Sequence, residues 1–148
     1  MRRIAILSDT HGLLRPEVVD GIQGVEQILH IGDVGKLAIL DELHAIAPVT
    51  AVCGNVDDPS TLPLTAVADC FGKSAYLIHI LDQLDLDPAE AGFDYVFFGH
   101  SHKPDDFTRD GVRYVNPGSI GPRRFDLPIS YAVLDERGDL FFHRVTPA

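Results

Sequence analysis

The feature that most constrains the fold is a series of four short apolar segments, each followed closely by glycine and by Asp, Asn or His. The segments cover residues 4–7, 27–31, 49–53 and 93–98. Short, continuous apolar segments are typical of strands that are buried on both faces. In open α/β sheets, ligands collect beyond the carboxyl ends of such strands. The series therefore predicts polar side chains gathered at the strand ends.

Patterns between and after these segments predict the remaining elements. Apolar residues at helical spacing predict one helix beginning at Pro16 and a second over residues 37–46. The alternation of strand and helix indicates βαβ units with a parallel sheet. The later elements are predicted as a hairpin of strands 65–70 and 74–80, a helix entered through Asp87 and Pro88, a turn at Asp110-Gly111, and strands 129–134 and 140–145. The predicted fold class is α/β, with two sheets packed face to face and helices outside.

Length, charge and cysteine content limit the class of protein. The chain has 148 residues and is predicted to be a single domain, 1–148. Its formal net charge of -10 disfavours general nucleic-acid binding, although bound divalent cations would allow phosphate-ester substrates. Cys53 and Cys70 have no CxxC spacing, and we find no signal peptide or membrane-spanning apolar segment. A reduced, cytoplasmic protein without membrane contact is predicted.

The side chains at the strand ends are of types that bind metal ions. A single Asp-x-His is more often a capped turn than a site, but an ordered series of such strand ends favours metal binding over chance. Oxygen and nitrogen ligands without thiolate suit transition metals, with manganese foremost and iron, nickel, cobalt or zinc as alternatives. The candidate ligands are Asp9, His11, Asp33, Asn55, His79, His100 and His102.

Ligand chemistry also predicts how two ions would share the site. Two divalent cations about 3.5–4 Å apart need a shared anionic ligand to offset their repulsion. Asp33 is the best candidate, because Asp9 is paired in sequence with His11. A bridging hydroxide would then attack phosphorus in line, while the metals stabilise the charge on the transferred group.

The same residues resemble the calcineurin-like metallophosphoesterase superfamily, and within it the small single-domain bacterial and archaeal phosphodiesterases. The resemblance extends from about residue 4 to about residue 135 and rests on Ser8-Asp9-Thr10-His11-Gly12, Gly32-Asp33, Gly54-Asn55-Val56-Asp57, His79, Gly99-His100-Ser101-His102 and Asn116-Pro117-Gly118-Ser119-Ile120. It implies a four-layer α-β-β-α sandwich of two mixed sheets flanked by helices. It also implies a dinuclear site that hydrolyses phosphodiesters.

The resemblance assigns the ligands to two ions. One ion would be held by Asp9, His11, Asp33 and His102, and the other by Asp33, Asn55, His79 and His100. Asp33, Asn55 and His100 would be the catalytic members of this set.

Two departures from the family concern the proton donor. Many members have a histidine directly after the asparagine, where this chain has Val56, and a His-Gly-His where it has His79-Ile80-Leu81. No histidine general acid is visible at its usual place. We therefore expect substrates with good leaving groups, such as aryl phosphates, to be favoured.

Several other polar residues have two interpretations. His30 is either a core histidine or a donor that orients a ligand carboxylate, and Asp57 either shapes the turn after Asn55 or supports a ligand. Arg123 and Arg124 either contact a substrate phosphate or form a solvated surface pair.

Three functions remain open at this point. The first is a metal-dependent phosphodiesterase acting on a small phosphate ester, in a chain that could form a homo-oligomer. The second is an interaction scaffold on the same fold that has lost catalysis. The third is a metal hydrolase that acts on another type of bond.

Overall fold

The computed structural model of the protein describes residues 1–146, which contain ten strands and two α-helices. The strands are β1 (Arg3–Leu7), β2 (Gln27–His30), β3 (Val49–Ala51), β4 (Thr65–Cys70), β5 (Lys73–Ile78), β6 (Tyr95–Phe97), β7 (Asp105–Arg109), β8 (Val112–Asn116), β9 (Ser130–Asp135) and β10 (Leu140–Arg144). The helices are α1 (Pro16–Gly21) and α2 (Ala38–His44), and a 3-10 turn covers Leu81–Gln83. The last two residues of the predicted domain 1–148 lie outside the described residues, and its single-domain organisation stays a prediction.

The strands form two five-stranded mixed sheets. The first sheet has the order β10-β9-β1-β2-β3, in which β1, β2 and β3 are parallel and β9 runs antiparallel to β1. The second has the order β4-β5-β6-β8-β7, in which β5, β6 and β8 are parallel. The hairpin β4–β5 and the two antiparallel pairs of the last third appear as predicted.

The main core lies between the two sheets. Residues of β1 and β2 such as Ile4, Ile6 and Leu29 are fully buried there against Leu77 and Phe97 of the second sheet. Burying a side chain of this size contributes roughly 1.5–3 kcal/mol. The two sheets therefore form one packed unit, and their strand ends are held in fixed relative positions.

Both α-helices pack on the outer face of the first sheet. Val18 and Ile22 at α1, with Ile39 and Leu43 of α2, are buried against this face. Pro16 starts α1 as predicted, because its fixed φ suits the first helical position and its missing N–H would have no partner there. Within the described residues, neither helix has the length and apolar character that a bilayer-crossing segment requires.

The outer face of the second sheet is covered without an α-helix in the part of the chain that the structure describes. The 3-10 turn and the segment after it pack on Tyr76, Ile78 and Val96 of this sheet. The helix predicted after Asp87 is wrong. Asp87 Oδ1 does accept N–H bonds of Ala89 and Glu90, as an N-cap would, but the chain makes only one turn. Gly92, with φ 85°, ends this turn before a helix can propagate.

The carboxyl ends of the parallel strands from both sheets meet at one edge of the molecule. Backbone hydrogen bonds join the connecting segments beyond the strands: Asp9 N–H donates to Gly32 O at 3.0 Å, and Gly99 N–H donates to His79 O at 3.0 Å. The α/β class and the two mixed sheets were therefore predicted correctly. The candidate ligands lie along this edge.

Candidate metal centre

The structure gathers the candidate ligands into two adjacent groups. The ligand atoms of Asp9, His11 and His102 lie within 4.8 Å of one another. Those of Asp33, His79 and His100 form a second group within the same limit. Asn55 joins the second group, because its Oδ1 lies 3.0 Å from His79 Nε2 and 3.2 Å from His100 Nδ1.

One oxygen of Asp33 lies between the two groups. Asp33 Oδ2 is 3.4 Å from His11 Nε2 in the first group and 3.2 Å from His79 Nε2 in the second. Its other oxygen, Oδ1, accepts the backbone N–H of Val56 at 3.0 Å. This bond fixes the carboxylate so that Oδ2 faces both groups. The arrangement allows one oxygen to serve two cations.

One carboxylate oxygen of Asp9 faces the site, and hydrogen bonds hold the other in place. Oδ2 accepts the Ser8 hydroxyl and, at 3.3 Å, the backbone N–H of His100. Oδ1 is buried without a hydrogen-bond partner and lies 3.3 Å from His102 Nε2. Burial acts to raise the pKa of Asp9, but the nearby imidazoles of His102, His11 and His79 outweigh it, and the net pKa is lowered. Asp9 is therefore an ionised carboxylate with an oxygen that lacks a partner.

The histidine His79 is oriented by the backbone. His79 Nδ1 lies 2.7 Å from the carbonyl oxygen of Ile31, a distance at which Nδ1–H donates and leaves the Nε2 lone pair facing Asp33. Burial acts to lower the pKa of His79, but Asp33 and Asp9 outweigh it and raise the pKa. The same negative field attracts a metal ion, which competes with the proton for Nε2.

Atoms of like character face each other across the centre, which fits a cation between them. The Nε2 atoms of His11 and His102 are 3.3 Å apart. Asn55 Oδ1 is 3.0 Å from Asp33 Oδ2, so that two acceptors oppose each other in this orientation of the amide, whereas the turned amide would donate its NH2 to Asp33. A cation would turn each of these contacts into shared coordination, and the set of carboxylate, amide and imidazole donors suits divalent transition metals. The residues present therefore fit the metal ions that the sequence predicts.

Most of the candidate ligands have a backbone conformation that is unfavourable for their residue type. Positive φ values are found at Asp9 (60°), His11 (46°), Asp33 (55°), His100 (73°) and His102 (62°). Such left-handed conformations at residues other than glycine carry strain of about 1–3 kcal/mol each and persist only where the surroundings impose them. Here the strand ends impose them, because the chain must turn sharply to direct these side chains inward.

Glycine precedes three of the ligands, Asp33, Asn55 and His100, because a side chain there would occupy space held by another ligand. A Cβ on Gly54 would lie 2.1 Å from Asp33 Oδ1 and 2.2 Å from the Asp33 backbone nitrogen. A Cβ on Gly99 would lie 2.4 Å from Ser8 Oγ and 2.9 Å from Asp9 Oδ2. The Gly-Asn and Gly-His pairs of the sequence thus reflect close packing between neighbouring strand ends.

Asp57 ties together two of the segments that carry ligands. Its carboxylate accepts the backbone N–H groups of Val34 (3.1 Å), Gly35 (3.0 Å) and Gly54 (2.9 Å). The first two follow Asp33, and the third precedes Asn55. Asp57 therefore contacts the backbone around the ligands rather than a ligand side chain.

His30 belongs to a buried hydrogen-bond chain beneath the centre. Its Nδ1 accepts the N–H of Gly32 at 3.2 Å, so Nε2 carries the proton and donates to Thr10 Oγ1 at 3.1 Å. Thr10 in turn donates to the carbonyl oxygen of Val34 at 2.8 Å. Burial lowers the pKa of His30 to about 4, which keeps the ring neutral.

Sequence reasoning missed three supporting side chains. Ser8 and Thr10 were read only as neighbours of the ligands in the motif, although Ser8 donates to Asp9 and Thr10 completes the chain from His30. Ser119 Oγ donates to the carbonyl oxygen of Asp9 at 3.0 Å. The sequence signal for all three was their position within the quoted motifs, but only the fold shows the partner of each hydroxyl.

The two arginines proposed as phosphate contacts lie at the surface. Arg123 and Arg124 are exposed, and Arg123 Nε donates to the carbonyl oxygen of Leu127 at 3.2 Å. Within residues 1–146, neither arginine has a hydrogen bond or an ion pair with a candidate ligand. Their contact with a substrate phosphate stays a prediction.

Fold and site together describe an α/β sandwich with a potential metal centre, and comparison with known proteins identifies its family. A profile described as the calcineurin-like phosphoesterase superfamily domain matches residues 1–139, and the chain belongs to this metal-dependent superfamily. A relative from Methanothermobacter thermautotrophicus named probable metallophosphoesterase is 35% identical over 130 residues, which cover 78% of this chain and 76% of that protein. The chain is thus a member of a family of phosphoesterase hydrolases.

Solved structures share the fold. A structure of an archaeal phosphodiesterase matches with a TM-score of 0.81 and 22% identity, covering 97% of this chain and 99% of that one. The crystal structure of Vps29 from Chaetomium thermophilum matches with a TM-score of 0.78 and 19% identity, covering 99% of this chain and 98% of that one. The predicted family and fold are confirmed.

Proposed function

We propose that this protein is a dinuclear metal-dependent phosphoesterase that hydrolyses phosphodiesters. The observation that carries this proposal is the position of Asp33 Oδ2, 3.4 Å from His11 Nε2 and 3.2 Å from His79 Nε2. A shared carboxylate oxygen of this kind is what two closely spaced divalent cations require. Membership of a phosphoesterase family and similarity to an archaeal phosphodiesterase support the choice of substrate.

In this proposal each ion has four protein ligands. Asp9, His11, Asp33 and His102 hold the first ion, and the second is held by Asp33, Asn55, His79 and His100. Manganese is the first metal to test, with iron, nickel, cobalt and zinc as alternatives. When bound, the two ions supply an activated water nucleophile and neutralise charge on the phosphoryl group.

The chain's own residues orient the centre. Ser8 and the His100 N–H hold one oxygen of Asp9, the Ile31 carbonyl fixes His79, and the Val56 N–H fixes Asp33. These bonds hold the ligand atoms before substrate binds, so that little reorganisation accompanies the reaction.

Proton donation to the leaving group is the weak point of the site. Val56, at the family's histidine position, has an exposed side chain (52%), and its N–H is already bonded to Asp33. The valine side chain therefore cannot donate a proton to the leaving group. Rates are therefore expected to fall steeply as the leaving-group pKa rises, and a series of aryl phosphodiesters measures this dependence. Rates that do not respond to leaving-group pKa would contradict the conclusion that the site lacks a proton donor.

The experiment that tests the function combines metal analysis with a substrate screen on the manganese-loaded protein. We expect two bound ions, turnover of bis-aryl phosphates, and loss of both properties in Asp33→Asn, which keeps the shape of the side chain but not its charge. Asp41→Asn is the matched control, because it removes the same charge from an exposed residue of α2. Full activity of Asp33→Asn would overturn the bridging role.

The second candidate function is a scaffold on the same fold. The observation that favours it is Val56 in place of a proton donor, and the fold is shared with Vps29, a vacuolar protein sorting protein. Bound metal without turnover under manganese, nickel, cobalt or zinc would support the scaffold. Cytoplasmic location and a possible homo-oligomer remain predictions.

A further inference from the structure

We infer that the cleft beside Asn55 and His79 binds one ester arm of the phosphodiester, and that this arm is partly apolar and either uncharged or cationic. The inference rests on the proposed function, because it names the class of substrate for the same centre. It excludes diesters whose arm carries a further phosphate.

The cleft opens directly from the candidate metal centre. It has a volume of about 610 Å³, and Asn55 and His79 form part of its wall. Clefts of about 300–1,000 Å³ hold groups from a phenyl ring to a nucleoside in size. Since both wall residues are candidate ligands of the second ion, a phosphoryl group at that ion would have its ester arm at the mouth of this cleft.

Apolar side chains form about half of the wall of the cleft, and polar side chains form the rest. Leu64, Tyr76, Ile78 and Ile80 line it beyond the two ligands. Leu64 is 65% exposed, so its side chain is available to a bound group. Its segment is held against the end of β3 by a 2.7 Å bond from the N–H of Cys53 to the carbonyl oxygen of Pro63. An aromatic or aliphatic arm would cover this surface and remove it from water.

Charge sets the second part of the inference. Among residues 1–146, the charged side chains that line the cleft are the carboxylates Asp57 and Asp85, and no lysine or arginine lines it. Asp57 already accepts three backbone N–H groups, whereas Asp85 is exposed at the cleft. An arm bearing a further phosphate would therefore meet like charge without a cation to pair with.

Binding of non-hydrolysable phosphonates to the zinc-loaded protein tests the cleft without relying on turnover. Calorimetry compares phenylphosphonate with methylphosphonate, which share the anionic group and differ in the arm. We expect phenylphosphonate to bind at least about tenfold more tightly. Leu64→Asp should abolish this advantage. Val67→Asp should keep it, because Val67 is similarly exposed (60%) on β4 and does not line the cleft.

A second pair of variants tests the charge. Phenylphosphonate that carries a second phosphonate at the 4-position of the ring should bind about tenfold more weakly than phenylphosphonate itself. Asp85→Lys should restore the affinity for this doubly charged probe. Asp82→Lys is the control with the same charge change, since Asp82 is exposed in the 3-10 turn and does not line the cleft.

The outcomes separate this inference from the proposed function. Equal affinity for phenyl- and methylphosphonate would contradict binding of the ester arm in the cleft, as would equal effects of Leu64→Asp and Val67→Asp. Neither result would contradict the proposed phosphoesterase activity. Recovery by Asp82→Lys as well as Asp85→Lys would overturn the charge assignment. Failure of the zinc-loaded protein to bind either phosphonate would overturn both proposals.

Discussion

Gly54→Ala tests whether the packing between strand ends sets the position of Asp33, the proposed bridging ligand. The new Cβ would lie 2.1 Å from Asp33 Oδ1 and 2.2 Å from the Asp33 backbone nitrogen. Ordinary contacts of carbon with other heavy atoms are about 3.5–4.0 Å, so one partner must move by more than about 1 Å. Rotation of the Asp33 side chain cannot relieve the clash, because the backbone nitrogen is involved as well. Either Asp33 or the Gly54-Asn55 segment must therefore shift as a unit, and each of them carries a proposed ligand.

A shift of this size should be visible in metal binding. Metal sites tolerate changes in ligand distance of only about 0.2 Å. We expect Gly54→Ala to weaken manganese binding by about 100-fold, because Asp33 is the proposed ligand of both ions. Calorimetric titration of the metal-free protein measures this affinity and the number of ions bound.

The control is a glycine with space around it. Gly92 has φ 85° and no heavy atom within 4 Å of the position that a Cβ would occupy. Gly92→Ala should therefore destabilise the fold by about 1–2 kcal/mol through the backbone and leave metal affinity unchanged. Two ions bound to Gly54→Ala with the affinity of the unmodified protein would refute the reasoning.

Three further predictions concern stability. Asp57→Ala should lower the free energy of unfolding by about 2–3 kcal/mol in urea, because three backbone N–H groups lose their acceptor, and an equal loss in Asp58→Ala would contradict this role. The pKa of His30 is about 4 in the folded protein and 6.5 ordinarily, so the unfolded chain binds the proton more readily. The contribution of neutral His30 to the free energy of unfolding is thus complete above pH 6.5 and is lost as the pH falls towards 4, by up to about 3 kcal/mol. In urea titrations between pH 7 and 5, the free energy of unfolding should fall less steeply in His30→Gln than in the unmodified protein. Removing metal with a chelator should lower the unfolding free energy by about 2.7 kcal/mol relative to metal at 100 times its dissociation constant, and an unchanged melting temperature would argue against the centre.

The gathering of the candidate ligands could be predicted from the sequence because it follows from a simple rule of geometry. Side chains beyond the carboxyl ends of neighbouring parallel strands must share an edge, and this places Asp9 near Asp33. The approach of His102 to Asp9 needed the family resemblance as well, since the two residues belong to different sheets. Their contact depends on how the sheets pack, which periodicity does not encode.

Local signals failed where tertiary packing decided the outcome. Asp87 and Pro88 are good helix-start residues, yet Gly92 allows only one turn before β6. The segment has enough apolar contact to cover the second sheet without a helix, through Leu84, Leu86 and others. Helix propensity therefore did not determine the structure that covers the outer face of the second sheet, because an irregular segment can bury these side chains equally well.

The cleft could not be predicted either, for a related reason. Its wall combines Leu64, which precedes β4, with Ile80 and Asp85, which follow β5. The predicted hairpin already brings Leu64 near Ile80, in agreement with the observed pairing of Thr65 with Ile78. The local sequence does not indicate that Asp85, after the 3-10 turn, and Asn55, after β3 of the other sheet, line the same groove.

The strain at the centre explains why the supporting hydrogen bonds are so numerous around it. Asp9 and His102 both combine a positive φ with a buried polar atom that lacks a partner, Asp9 Oδ1 and His102 Nδ1. Each feature is unfavourable in the protein alone. A chain that could relax would do so, unless neighbouring segments hold it in place. Asp57 supplies that restraint to the backbone after Asp33 and before Asn55, and the chain from His30 supplies it to Thr10, between Asp9 and His11.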